Sequence, residues 1–275
     1  MDTNRQSEIL AIANNNLLET FGPVKHNKPI DLNDIEAVYK RNVLSVQADA
    51  KTRKGLAKGY LTGIMYFAPA KLSGIEVCPS RSLGCTSACL FSAGRGRFYS
   101  VTRARIIKTL AYHFDTVRFI ATVKKSIVKV INKANKMNMV PVIRLNGTSD
   151  ILWERNTDII QSFPDTQFYD YSKIAKRFLF NIPSNYHLTF SLSDKDSSET
   201  DAKLVLSKGG NVAAVFRKEL PVSLWGYPVT NGDDTDLRFL DTKGSIVGLK
   251  AKGKAKKDTS GFVRDHGSNT ERKAA

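Results

Sequence analysis

Cysteine is scarce in this chain: its 275 residues hold three. An odd count cannot close into a full set of disulfides, so a disulfide-stapled secreted fold is excluded and reduced thiols are expected. No apolar run approaches the roughly 20 residues that a membrane helix needs. The opening stretch, MDTNRQSEILAIANNN, has no basic region ahead of an apolar core, so no secretory leader is expected. These absences predict a soluble protein of the cytoplasm with no membrane partner. The four histidines, His26, His113, His187 and His266, show no paired spacing. There is no Gly-x-Ser-x-Gly and no His-Glu-x-x-His, and Gly94-Arg95-Gly96 lacks the third glycine of a dinucleotide fingerprint. Acid is also in deficit, with 26 Asp and Glu against 42 Lys and Arg, a net charge of +16. Such a field attracts polyanions and makes nucleic acid a candidate partner, though it also serves solubility alone. Residues 243–257 carry six lysines and no acid, which reads as a mobile or edge basic segment.

What cysteine there is falls together. Cys78, Cys85 and Cys89 lie within twelve residues, in VCPSRSLGCTSACLFSAGRGRF. Random placement would give such clustering in roughly one chain in two hundred, so a shared ligand is the first reading. Three thiolates from one loop suit an iron–sulfur cluster with one iron left open, or zinc with a fourth ligand from elsewhere. His113, 24 residues past Cys89, is the nearest histidine for a zinc site. A loop of unligated, reduced cysteines is the third reading. Gly84 relieves crowding before Cys85, Gly94 and Gly96 allow close backbone approach, and Arg95 and Arg97 add positive charge.

Along the chain, residues 1–42 read as an N-terminal arm with a short helix, and residues 43–265 as one α/β domain. Residues 266–275 read as a disordered tail. Residues 43–48 and the run ending at Ala70 look like strands. After the cysteine loop, residues 99–114 suit a helix. A second helix begins near Asp115, with Val117, Ile120, Val123, Ile127, Val130 and Ile131 at helical spacing. Strand then alternates with helix: VPVIRLNGTSD, ILWERNTDIIQSF, QFYDYSK, KIAKRFLF, YHLTFSLSD, a helix over 199–206, and NVAAVFRK. The alternation predicts a parallel sheet, doubly wound or curled into a partial or complete (β/α) barrel.

In such folds the carboxyl ends of the strands form the ligand-binding edge. The polar residues there are Arg144, Asn146 and Asp150, then Asp170, Tyr171 and Lys173, then Ser191, Ser193 and Asp194, and finally Arg217. Helix caps and turn chemistry are the plainer use of such residues, above all of Asp150 and Asp194. Arg144 and Asn146, inside an apolar strand, point to function. Arg103, Arg105 and Lys108 are placed to meet phosphates. Asp233, Asp234 and Asp236 read as a solvated turn, with magnesium as the alternative.

In this strand–loop–helix setting the cysteine loop resembles the cluster loop of the radical S-adenosylmethionine (SAM) superfamily, with gaps of six and three residues that are wider than usual there. The chain more closely resembles the bacteriophage gene product 88 family, through CPSRSLGCTSACLFSAGRG, VIRLNGTSDILWE, NVAAVF, NGDDTDLRFLD and IVGLKAKGKAKKD. The resemblance implies Cys78, Cys85 and Cys89 as ligands of a 4Fe–4S cluster, a radical-SAM-like barrel and a host cytoplasmic setting. SAM is then the candidate ligand of the open iron, with Arg144, Asn146 and Asp150 facing it from the next strand. The expected function is a divergent iron–sulfur phage enzyme acting on nucleic acid or a nucleotide. The alternative is a non-catalytic nucleic-acid-binding protein with a structural cysteine loop.

Overall fold

The computed structural model describes residues 2–23, 28–47, 50–89, 91 and 94–265; the expected tail at 266–275 lies outside them. Short β-branched and aromatic runs alternate with amphipathic ones, and the result is a mixed α/β fold. The strands are β1 (Ser45–Val46), β2 (Tyr60–Ile64), β3 (Val140–Arg144), β4 (Gln167–Ser172) and β5 (Tyr186–Ser191). They continue with β6 (Asn211–Phe216), β7 (Ser223–Leu224), β8 (Tyr227–Asn231), β9 (Ile246–Lys250) and β10 (Val263–Arg264). One sheet takes them in the order β1-β2-β3-β4-β5-β6-β9-β8-β7, with β10 beside the end of β6. The β1–β2 and β7–β8 pairings are antiparallel and the others parallel. Among the described strands no pairing joins β1 to β7, so the sheet is open.

The helices are α1 (Thr3–Phe21), α2 (Leu32–Val38), α3 (Ala50–Leu56), α4 (Leu83–Ser87), α5 (Tyr99–Phe114), α6 (Thr116–Lys136), α7 (Trp153–Asn156) and α8 (Ser198–Ser207). From β2 to β6 the spatial order follows the chain order without reversal. Right-handed crossovers then place the connecting helices on one face of the sheet. The α6 stripe of Phe119, Val123, Ile127, Val130 and Ala134 is buried in the main core with Leu61, Ile143 and Phe168 from the strands. Gly63 lets that helix approach, because a Cβ there would stand 2.9 Å from Val130 Cγ2. The alternating positions Tyr60, Val142 and Tyr169 meet Leu237 and Phe239 on the opposite face.

Two expectations differ from the structure. Residues 1–42 supply α1 and α2, and Ile9, Ala13, Leu17, Ile35 and Val38 enter the main core. Residues 151–163 form only the short α7. The Ile151 N–H donates to Asn146 Oδ1 (3.0 Å) and the Ile159 N–H to Thr157 Oγ1 (3.3 Å), so local side chains displace the helical pattern there. Among the described residues no helix is long and apolar enough to cross a membrane.

Candidate functional site

Because the central strands are parallel, the segments that follow them collect at one edge. The cysteine loop follows β2, residues 145–152 follow β3, Lys173 follows β4, Asp194 follows β5, Arg217 follows β6 and Ala251 follows β9.

The cysteine loop is fastened to that edge at several points. Ala70 adopts left-handed backbone (φ 53°), an uncommon conformation for a residue with a Cβ, and its N–H is directed at the Cys78 sulfur. The Cys78 thiol donates to Thr148 O at 3.6 Å, and its backbone N–H donates to Glu76 Oε1 at 2.8 Å. The Asp150 N–H bonds Val77 O at 2.8 Å, tying the β3 loop to the cysteine loop. Ser82 caps α4 by accepting from the Cys85 N–H at 3.0 Å, and Asp194 accepts from both Ser82 Oγ and the Gly84 N–H. Glycine at 84 avoids a clash, since a Cβ would meet Ser260 Oγ and lie 2.7 Å from Asp194 Oδ1, so one of these side chains would have to shift. Ala88 packs with Ala251, Ala255 and Val263, so the lysine-rich segment is docked against the loop.

The three sulfurs lie within electrostatic reach of one another. Burial pushes the Cys78 thiol up to about 12, opposed by the Ala70 N–H and reinforced by negative charge on Cys89, Asp150 and Cys85. Burial also raises Cys89, with Cys85 adding and the Phe91 N–H, Arg105 and Lys173 opposing. Among the described residues, however, no three His, Cys, Asp or Glu side chains are grouped closely enough to hold a metal ion. A single zinc needs its sulfurs about 4 Å apart, given its bond length and tetrahedral angle. A polynuclear cluster takes each thiolate at a different iron and so spreads them further. Three thiols from one loop are donors of the kind that a cluster or zinc uses, but among the described residues their positions assemble neither site. His113 packs beside Phe114 on α5, with Arg5 as its charged neighbour, and joins no such group.

Two cations, Arg105 and Lys173, stand near Cys89. Arg105 is buried, its guanidinium 4.7 Å over the Tyr66 ring and 6.0 Å over Phe91, and among the described residues its Nη1 has no hydrogen-bond partner. One turn along α5, burial and the Arg105 charge lower Lys108 to about 8. Lys173 Nζ bonds Ser191 Oγ at 2.5 Å and lies 5.3 Å over the Phe262 ring. Arg103 is engaged elsewhere, 2.6 Å from Asp34.

The structure separates the residues read together on β3. Asp150 lies beside the cysteine loop, but its carboxylate accepts from Arg177 Nη1 (2.9 Å) and the Lys173 N–H (2.8 Å). Asn146 is an interior hub. Its Oδ1 accepts from Ser149 Oγ, the Ile151 N–H and Trp153 Nε1, while its Nδ2 donates to Ile151 O. Arg144 points to the opposite face, where Nη1 is 2.9 Å from Asp236 Oδ2 and the guanidinium lies 4.7 Å over Tyr171. The acidic run is likewise divided: Asp236 joins Arg144 and Tyr169, Asp233 pairs with Lys252, and Asp234 accepts from Asn231. A cleft of about 570 Å³ opens beside α4, lined by Arg81, Ser82, Leu83 and residues 194–197.

Sequence reasoning missed the left-handed Ala70 and the docking of residues 251–263 on α4. The small residues Ala251 and Ala255 between lysines were the available signal for the second.

A family model described as gene product 88 matches residues 42–266. It bears on the phage resemblance and not on the radical SAM one. No curated protein and no solved structure matches the chain.

Proposed function

Since the chain belongs to the gene product 88 family, we propose that it is an iron–sulfur enzyme of divergent radical SAM type, with a 4Fe–4S cluster on Cys78, Cys85 and Cys89. Its sheet would be the wall of a partial (β/α) barrel, a reading favoured by the unreversed strand order from β2 to β6. When bound, a cluster with three protein ligands offers one open iron to a chelating ligand such as SAM and supplies single electrons. The chain's own residues have definable tasks. The cysteines lose their protons on ligation. The Ala70 and Phe91 N–H groups stabilise negative charge on Cys78 and Cys89, and Arg105 and Lys173 offset it further. The substrate class is a nucleic acid or a nucleotide, supported by the net charge of +16.

One observation carries the reading. The chain's three sulfhydryl groups sit within mutual electrostatic reach at the carboxyl edge of a parallel sheet, beside a buried arginine whose Nη1 has no partner among the described residues. A buried cation without a carboxylate is costly unless an anionic centre adjoins it. The test is iron and sulfide analysis of protein isolated without oxygen, or reconstituted with ferrous iron and sulfide. About four irons per chain and broad visible absorption are expected, both lost in Cys85→Ala. One tightly held zinc and no iron would sink the proposal.

A second reading has its own support. Ser82, Asp194, Gly84 and Ala88 hold α4 in place through protein contacts alone. That arrangement suits a non-catalytic nucleic-acid-binding protein whose cysteine loop is structural. Under it, Cys85→Ala leaves function untouched.

A further inference from the structure

Lys254, Lys256 and Lys257 are exposed on the 3-10 turn Gly253–Lys257, and among the described residues none of them is paired with a carboxylate. In a 3-10 turn, residues three apart eclipse one another. Lys254 and Lys257 therefore stand on one side with Lys256 flanking them, while Ala255 points inward and is buried with Ala88 of the cysteine loop.

The turn is held rigidly. Arg217 Nη1 donates to Lys256 O at 3.0 Å, and its Nη2 donates to Asp258 O at 2.8 Å. The Asp258 carboxylate accepts from the Val263 N–H at 3.0 Å, and Lys252 anchors the entry through Asp233 at 2.7 Å. Like charges fixed side by side repel. A segment serving only solubility would gain by leaving them loose. Beyond Cys89 in the chain, Gly96 lies close against the Phe91 backbone, and Arg95 and Arg97 on either side of it are exposed. Phe98, next in sequence, is half exposed and offers a stacking face.

We propose that these lysines, with Arg95 and Arg97, form a track for the phosphodiester chain of a nucleic acid, laid across the carboxyl edge past the cysteine loop. The substrate class of the proposed enzyme is then a polymer and not a free nucleotide. This rests on reading that edge as the reaction site, although strand binding itself needs no cluster.

The test is fluorescence anisotropy of labelled single-stranded DNA, duplex DNA and RNA with the full chain over a range of salt. For a single strand, each neutralised phosphate contributes about 0.7 to the slope of log affinity against log salt. The triple variant Lys254→Gln, Lys256→Gln, Lys257→Gln is expected to lose about 2 of that slope and to bind at least about tenfold more weakly in dilute salt. Lys129→Gln, Lys133→Gln, Lys136→Gln removes equal charge from α6, whose end leads into the opposite edge of the sheet, and is expected to keep the parental slope. Equal slopes for the two triple variants would overturn the proposal. So would retention on anionic phosphatidylserine vesicles without oligonucleotide binding. Iron analysis of the same preparations keeps the two ideas apart, since iron-free protein that still shows the lysine-dependent slope ends the cluster reading and supports the track.

Discussion

Asn146 shows why a polar residue inside an apolar strand signals importance without revealing its kind. Its Oδ1 accepts from three donors, Ser149 Oγ, the Ile151 N–H and Trp153 Nε1, and its own N–H donates to Asp170 Oδ1. All lie in the buried interior. Removing the acceptor leaves buried donors without partners, each costing roughly 1–3 kcal/mol before relaxation or water entry. Asn146→Ala is expected to lower unfolding free energy by about 3 kcal/mol in urea titrations, with the slope against urea unchanged. A loss under about 1 kcal/mol would show that water replaces the side chain and that Asn146 is free for a ligand. The sequence marked Asn146 and Arg144 as a pair, and both reach Asp170, whose Oδ1 lies 2.8 Å from the Asn146 backbone nitrogen and 3.9 Å from Arg144 Nε; their other partners diverge. Arg144 meets Asp236, 92 residues away, and no local pattern encodes a contact of that separation. Arg105 was visible as a basic helix residue, but its burial between Tyr66 and Phe91 depends on how the cysteine loop folds back.

At the scale of elements, sequence and structure agree where one period dominates. The expected helix over 99–114 coincides with α5, and the strands read from QFYDYSK, YHLTFSLSD and NVAAVFRK contain β4, β5 and β6. Agreement is lost where side chains compete for backbone groups, as at Asn146 and Thr157 over residues 151–163. It is lost again in the lysine-rich stretch read as mobile or edge, because β9 lies between β6 and β8 and the following turn is docked. The α4 element was legible only as a cysteine and a glycine, since its position depends on Asp194, 110 residues beyond Gly84. That dependence is testable. Asp194 is pinned by Ser82 and the Gly84 N–H, so it cannot swing away from a new methyl group without giving up both bonds. Gly84→Ala is expected to cost about 2 kcal/mol through overpacking, read by thermal melting, and under the proposed cluster reading to reduce iron retained after reconstitution, read by metal analysis. Parental stability together with parental iron content would mean that α4 moves freely and that its docking does not set the sulfur positions.

The whole molecule raises the question of where the folding unit begins. The family model starts at residue 42, and composition likewise separated residues 1–42 as an arm. Packing joins them to the rest: Ile9, Leu17, Ile30, Ile35 and Val38 are all buried in the core that contains β2 and α5. Tyr39 adds a hydrogen bond to Ala111 O at 2.9 Å, and Arg103 pairs with Asp34 across the same boundary. Burying side chains of this size stabilises a fold by roughly 1.5–3 kcal/mol each, so the five apolar residues together contribute about 10 kcal/mol. Whole-domain stabilities are only about 5–15 kcal/mol. A chain beginning at residue 42 would therefore expose most of one core wall, over the helices that support the cysteine loop. It is expected to lack a cooperative urea transition and a near-ultraviolet circular dichroism signal, whereas the full chain shows both. A sharp transition at the full chain's midpoint would instead make α1 and α2 a dispensable arm and leave the cysteine edge supported by the sheet alone.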